Sequence, residues 1–359
     1  MAGLDDNTKL LIHANGGDGV KSAYAHYKCN DDAGNTTVTD DGSGANNGTA
    51  STNTSNLSVA GKINEAFEFN GSSEYITANA LATDVASDTI GSISFWLYTS
   101  LSASHVIFSL SQGANSEYFY VSVGTNGNMT LSIVANSAAN YSDVYTGAGT
   151  ISASTWTHIV ITQDGTADGV KVYKNGTNIS LTSAKAGGWN GSEWITDIGS
   201  ATVGRIACYN DGSNTLFLDG QLDDFRYYKC ALSSTEVLAL YNEGNGTENS
   251  IITDASGNHT AVQTYGDAQI DTAVKKWGTG SLLLDGTGDY LSIPDSDDWD
   301  ICGSAMDSRT IDLWVKHTDH AGTETYITQY EDASNFWKLY HIHGFGLKFL
   351  LDSGGTTVV

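Results

Sequence analysis

One block of this chain occurs twice. Ala66-Phe-Glu-Phe-Asn-Gly-Ser-Ser-Glu-Tyr-Ile76 aligns with Leu282-Leu-Leu-Asp-Gly-Thr-Gly-Asp-Tyr-Leu291 on the glycines Gly71 and Gly286. The interval between those glycines is nearly the interval between Trp96 and Trp314, in Ser92-Ile-Ser-Phe-Trp-Leu97 and Thr310-Ile-Asp-Leu-Trp-Val315. Ahead of each block stands a matching polar turn, Asp41-Gly-Ser-Gly-Ala-Asn in the first and Asp254-Ala-Ser-Gly-Asn-His in the second. A period that holds over three separate segments marks a duplicated domain.

The blocks predict strands. Phe67 and Phe69 alternate with Glu68, and Ile93, Phe95 and Leu97 alternate with Ser94, Trp96 and Tyr98, the two-residue period of a chain with one face buried. The same period runs through 118 to 123, 129 to 134, 156 to 162 and 170 to 173. Asn175-Gly176, Asp164-Gly165 and Thr125-Asn-Gly127 stand between such runs as hairpin turns. With 40 glycines and a single proline in 359 residues, the composition suits many short strands joined by tight turns. Helix is expected only at 233 to 243 and as a short turn near 81 to 85. At the first of these Ser233 and Glu236 have the spacing of a capping box, directly after the alternating run Leu222-Asp-Asp-Phe-Arg-Tyr-Tyr228.

Charge excludes one class of partner. Asp and Glu number 41 against 16 Lys and Arg, a formal net charge of -25, and no basic cluster interrupts it, so a phosphate backbone would be repelled and nucleic acid is not an expected partner. No run of 18 apolar residues is present, so membrane insertion is not expected, and Met1-Ala-Gly-Leu-Asp-Asp-Asn-Thr-Lys9 lacks the pattern of a signal peptide. The four cysteines, Cys29, Cys208, Cys230 and Cys302, have no paired metal-ligand spacing.

The closing segment Asp219-Gly-Gln-Leu-Asp-Asp-Phe-Arg-Tyr-Tyr-Lys-Cys-Ala-Leu-Ser-Ser-Thr-Glu-Val-Leu-Ala-Leu-Tyr-Asn242 and the opening segment Val20-Lys-Ser-Ala-Tyr-Ala-His-Tyr-Lys-Cys-Asn-Asp-Asp-Ala-Gly-Asn35 resemble those of laminin-G-like domains of the concanavalin A-like lectin/glucanase superfamily. The resemblance implies an all-β, concanavalin A-like jelly-roll sandwich with opening and closing strands side by side. It places Cys29 and Cys230 on those two strands, either as a disulfide or, the preferred reading, as buried free thiols. It also implies a structural calcium ion, the one candidate cofactor, held by Asp40, Asp41, Asn46 and Asn47 with Asp223. Asp and Asn also hold turns together without an ion, and both readings stand.

Two copies of the fold are then expected, the second incomplete. Residues 20 to 246 form a complete inner jelly roll, and residues 1 to 19 with 247 to 359 form an outer one. The strand-like Thr8-Lys-Leu-Leu-Ile-His-Ala-Asn15 is an opening strand without a domain, whereas the copy beginning near 251 lacks one, so the inner domain reads as an insertion; a plain tandem is the alternative. The outer copy stops several strands short of a closing helix.

Catalysis is not expected. The nearest approach to the Glu-x-Asp-x-x-Glu string of related glucanases, Glu65-Ala-Phe-Glu68 with Glu74, lacks its central Asp, and no nucleophile elbow or His-Glu-x-x-His pair occurs. His341 and His343 alternate on a strand, but two histidines without a third ligand read as surface residues. The expected function is a non-catalytic carbohydrate-binding or adhesive module, with a glycan or cell-surface polysaccharide as partner. Its expected site is Trp189 and Trp194 in Gly187-Gly-Trp-Asn-Gly-Ser-Glu-Trp194, with Tyr209, Asn210 and Asp211 at a neighbouring strand end; the alternative for the two tryptophans is a lid over the core. The second function class is a structural spacer or assembly domain of a phage tail or surface protein, packed with other structural subunits. Either class places the chain outside the cell, at a cell surface or on a virion.

Overall fold

Alternation becomes two antiparallel sheets packed face to face. The computed structural model describes residues 10, 12, 20–113, 117–135, 139–210, 212–248, 251, 252, 254, 256, 258, 262–266, 268–271, 273–276, 280–300, 309–318 and 321–357. They divide into two units, Met1–Ile293 and Pro294–Val359.

In the first unit the two large sheets have nine and eight strands. The nine-stranded sheet runs Leu181–Ala186, Asn140–Thr146, Met129–Ala135, Tyr118–Val123, His105–Ser111, Val203–Ile206, Ile76–Thr77, Gly48–Ala50 and Thr37–Val38 in spatial order. The other runs Thr177–Ile179, Lys171–Lys174, Thr157–Gln163, Gly91–Thr99, Asp219–Tyr228, Glu65–Asn70 and Ser58–Ala60, with Ala25–Tyr27 also on Asp219–Tyr228. The opening strand therefore pairs with the closing one, Ala25 opposite Tyr227 and Tyr27 opposite Phe225. Between the sheets Phe225 packs against Phe95, Phe108 and Tyr27, with ring centroids 6.5, 5.1 and 6.2 Å away. Each such fully buried side chain stabilises the sandwich by roughly 1.5–3 kcal/mol relative to exposure.

A second core lies on the other face of the eight-stranded sheet. The helix Ser234–Tyr241 is capped as expected: Glu236 N–H donates to Ser233 Oγ at 3.3 Å, and Ser233 N–H donates to Glu236 Oε2 at 2.7 Å. Val237 and Leu240 bury against Val160, Tyr173 and Tyr228. Beneath this cover the closing strand carries a bulge between Asp223 and Arg226, with Asp224 at φ 52°. Asp224 there accepts from Arg226 Nε at 3.0 Å and Nη2 at 2.9 Å and is 2.7 Å from His26 Nε2. Both members of the ion pair are buried, and the fork geometry is what offsets their desolvation. Cys29, Cys208 and Cys230 are free thiols; Cys302 lies outside the described residues.

The duplication has a structural counterpart. Asn70 Oδ1 accepts from Ser72 N–H at 2.9 Å, and Asn70 N–H donates to Glu74 at 2.9 Å; Asp285 accepts from Thr287 N–H at 2.6 Å, and its own N–H donates to Asp289 at 2.8 Å. Gly71 and Gly286 take positive φ, 72° and 86°, at the same place in these two turns. The flanking pairings agree, Ser58–Ala60 on Glu65–Asn70 matching Gln269–Asp271 on Ser281–Leu283, and Gly48–Ala50 on Ile76–Thr77 matching Gln263–Tyr265 on Tyr290–Ser292. The polar turns correspond one residue away from the sequence alignment. Asp40, not Asp41, matches Asp254, since each is buried and accepts from the N–H two residues on. The third correspondence is not kept: Trp96 is buried on a strand, whereas Trp314 is 65% exposed outside any strand. The expected strand at 8 to 15 lies outside the described residues apart from Leu10 and Ile12; Val20–Lys21 pairs with Ile251–Ile252.

The second unit carries a four-stranded meander of Thr323–Asp332, Asn335–Ile342, Gly346–Ser353 and Thr356–Thr357.

Candidate functional site

Strand alternation sends Phe119, Val121 and Val123 into the core and turns Tyr118, Tyr120 and Ser122 outward. Register then aligns the outward side chains across the nine-stranded sheet. Tyr120 stands opposite Ser132, and Ser132 opposite Asp143; Tyr118 stands opposite Val134, and Val134 opposite Tyr141. Tyr145 follows on the same face as Asp143. The result is a face of half-buried tyrosines interleaved with hydroxyls and one carboxylate.

Its aromatic part is closely packed. The rings of Tyr118 and Tyr120 are stacked, with centroids 5.2 Å apart and planes 14° apart. Tyr209 meets both edge to face at 5.4 and 5.6 Å. Tyr209 is held there because its segment lies along the strand His105–Ser111: Ser109 Oγ donates to the Cys208 carbonyl at 2.9 Å and Ser111 Oγ to the Asn210 carbonyl at 2.6 Å. Asn210 also donates through Nδ2 to Asn214 Oδ1 across the Tyr209–Asn210 and Asn214–Thr215 hairpin. The polar part centres on Asp143, which accepts from Ser132 Oγ and, at 2.9 Å, from the Tyr145 hydroxyl. Burial, then the Asp143 carboxylate beside it, push the Tyr145 phenol up to about 12, so it stays a neutral donor at ordinary pH. Burial raises the Tyr120 phenol as well.

The sequence-predicted residues are dispersed. Trp194 belongs to the core and not to a platform: it is fully buried, edge to face with Phe119 at 5.0 Å, and its indole N–H donates to the Tyr227 hydroxyl at 3.2 Å. Its loop turns inward because the buried Glu193 carboxylate accepts the N–H groups of Asn190 and Gly191, both at 2.8 Å. Trp189 is half-buried and packs against the same core. Of the expected site, Tyr209 joins the tyrosine face, Asn210 holds the hairpin beneath it, and Asp211 lies outside the described residues. The expected site does not include Tyr118, Tyr120, Ser132, Asp143 and Tyr145, although the residues spaced by two in Tyr118-Phe-Tyr120 and Asp143-Val-Tyr145 are a signal of one shared face.

The residues expected to hold calcium have other partners. Asp40 accepts three backbone N–H groups, from His26 at 2.7 Å, Gly42 at 2.8 Å and Asn46 at 2.6 Å. Asp41 pairs with Lys28 at 3.2 Å, Asn47 accepts from Asp40 N–H at 2.9 Å, and Asn46 Nδ2 donates to Asp84 at 3.0 Å. Asp223 is buried elsewhere on the closing strand, where its Oδ2 accepts from Lys62 and Ile63 N–H at 2.8 Å.

Away from this face, a cleft of about 440 Å³ is lined by Glu68, Asn70, Glu74, Tyr98, Ser100 and Asp219 among others. Asp219 accepts from Ser100 Oγ at 2.7 Å and Ser102 Oγ at 2.8 Å, and these bonds hold its carboxyl below the usual range.

The profile of the concanavalin A-like lectin/glucanases superfamily matches residues 70–238. The two large sheets of the first unit form a concanavalin A-like jelly roll around that matched region. No curated protein sequence matches the chain. Among solved structures, the jelly-roll chain is similar to the CBM40 of Ruminococcus gnavus IT-sialidase bound to alpha2,3 sialyllactose, at 16% identity and a TM-score of 0.43, over 49% of this chain and 96% of that one. It is also similar to domain 4 of an extracellular arabinanase from Geobacillus stearothermophilus in complex with arabinotriose, at 21% identity and a TM-score of 0.41, over 61% of this chain and 98% of that one. A Streptococcus pneumoniae sialidase is matched over 48% of this chain and 27% of that one, at 15% identity and a TM-score of 0.41.

Proposed function

We propose that the jelly-roll unit is a non-catalytic carbohydrate-binding module whose binding surface is the tyrosine face of the nine-stranded sheet. The observation that supports it is the stacked pair Tyr118 and Tyr120, braced by Tyr209, on the same face as the hydroxyl and carboxylate group of Ser132, Asp143 and Tyr145. A sugar ring has an apolar C–H face and a rim of hydroxyls. Aromatic rings suit the first, since their negative faces attract C–H groups, and a fixed carboxylate with phenols beside it suits the second.

The partner under this reading is a glycan or surface polysaccharide, and the setting is extracellular, at a cell surface or on a virion. Screening the full chain on a glycan array and repeating the hits with Tyr118→Ala and Asp143→Asn tests it. Each variant is expected to weaken binding by about 2 kcal/mol, the scale of a central aromatic or charged contact.

The spacer or assembly reading is favoured by a different observation. On the second unit the large apolar side chains Tyr330, Phe345 and Leu347 are exposed by 65%, 75% and 65%, and contact with another subunit would cover such side chains.

A further inference from the structure

The second unit brings together three side chains that are scattered in sequence. Glu324 and His341 are direct cross-strand partners in the pairing of Thr323–Asp332 with Asn335–Ile342. His341 Nδ1 lies 2.7 Å from Glu324 Oε2, and His317, from the segment before the first strand, places its Nδ1 3.7 Å from the same oxygen. One ligand atom from each of the three lies within 4.8 Å of the others, and among the described residues no other group of three or more His, Cys, Asp or Glu side chains meets that condition. We propose that His317, Glu324 and His341 form a binding site for a divalent first-row transition ion of the zinc class.

The donor set selects the metal. Two imidazoles and one carboxylate suit zinc and its neighbours, which take nitrogen and oxygen at about 2.0–2.2 Å; calcium and magnesium prefer all-oxygen shells. Three protein ligands leave room in the coordination sphere for water or an outside group. The side chains are reachable, being 13%, 32% and 17% exposed for His317, Glu324 and His341.

The surroundings prepare the ligands. His317 Nε2 is 2.6 Å from the Tyr326 hydroxyl, so the tautomer that donates from Nε2 to the phenol presents the Nδ1 lone pair towards Glu324. An oxygen on the far nitrogen of a ligating imidazole is the usual way its tautomer and ring orientation are set. The His317 and His341 rings are held 5.2 Å apart at 61°. Ligation through His341 Nδ1 puts that ring's proton on Nε2, and the ion replaces the proton shared with Glu324. Separations of 2.7 and 3.7 Å need only small rotations to admit an ion between them.

Titrating the full chain with Co²⁺, followed by visible d–d absorption and by zinc competition, tests the site. The expected result is one Co²⁺ per chain, displaced by Zn²⁺. Glu324→Gln preserves size and hydrogen bonding and is expected to weaken binding at least tenfold, and Tyr326→Phe by about tenfold. The double variant His317→Ala/His341→Ala is expected to abolish it, with circular dichroism of the metal-free protein reporting that the unit still folds. No stoichiometric binding by the full chain, or binding unchanged in Glu324→Gln or in the folded double variant, overturns the proposal.

Discussion

Trp194 donates its indole N–H to the Tyr227 hydroxyl at 3.2 Å, and Tyr227 in turn donates to Asp88 at 3.0 Å. The bond ties the loop after Leu181–Ala186 to the closing strand, through a ring that also packs edge to face on Phe119. Trp194→Ala is therefore expected to cost about 3–5 kcal/mol of stability, the scale of an emptied buried aromatic site, while leaving glycan affinity unchanged at temperatures where the variant is folded. Paired urea denaturation and ligand titration check it; a loss of affinity with unchanged stability would return Trp194 to the binding surface.

Asp223 gives the jelly roll a pH dependence of defined sign. Burial, and the neighbouring Asp224 charge, push its carboxyl up to about 8 against the opposing pull of the Ile63 and Lys62 N–H groups. An unfolded Asp titrates near about 3.9, so between these values the folded chain holds a proton that the unfolded chain has lost. The contribution of this group is fully present below about pH 4 and is lost as pH rises towards 8, at up to roughly 1.4 kcal/mol per pH unit. Asp223→Asn, neutral throughout, is expected to flatten that part of the stability profile. Parallel wild-type and variant profiles across pH 4 to 8 would contradict the assignment.

Calcium is expected to leave the melting temperature of the jelly roll unchanged when it is added to metal-depleted protein. Asp40 already accepts three backbone N–H groups, and Asp223 accepts two on the closing strand. A saturable upward shift with calcium, abolished by Asp40→Asn, would show that these oxygens rearrange around an ion.

Local chemistry was legible in the sequence and contacts across strands were not. The Ser233 and Glu236 cap and the turns at Asn70 and Asp285 depend on residues two to four apart, so their spacing alone carries them. The hairpin turn Asn175-Gly176 is of the same kind, with positive φ at both positions, 50° and 77°. The choice between platform and lid for Trp194 is not local, because glycines and polar residues around it resemble a surface loop; the Glu193 carboxylate that folds the loop inward shows only through the backbone N–H groups that donate to it. The tyrosine face needs three strands in register, and the period of one strand tells nothing of its neighbours' alignment. No third ligand for His341 shows in the sequence, because Glu324 reaches it through strand pairing and His317 comes from the segment before the first strand. The repeated Trp314 block went the other way: its pattern is that of the Trp96 strand, yet Ile311, Leu313 and Val315 are 37%, 39% and 48% exposed.

The central claim rests on two rings, and removing both tests it most directly. Calorimetric titration of the best array ligand into wild type and Tyr118→Ala/Tyr120→Ala, with thermal melts of each, separates binding from folding. The account predicts at least a thirtyfold loss of affinity, about 2 kcal/mol, in a variant that remains folded. Wild-type affinity in the folded double variant would contradict it and leave the tyrosine face without a role in sugar recognition.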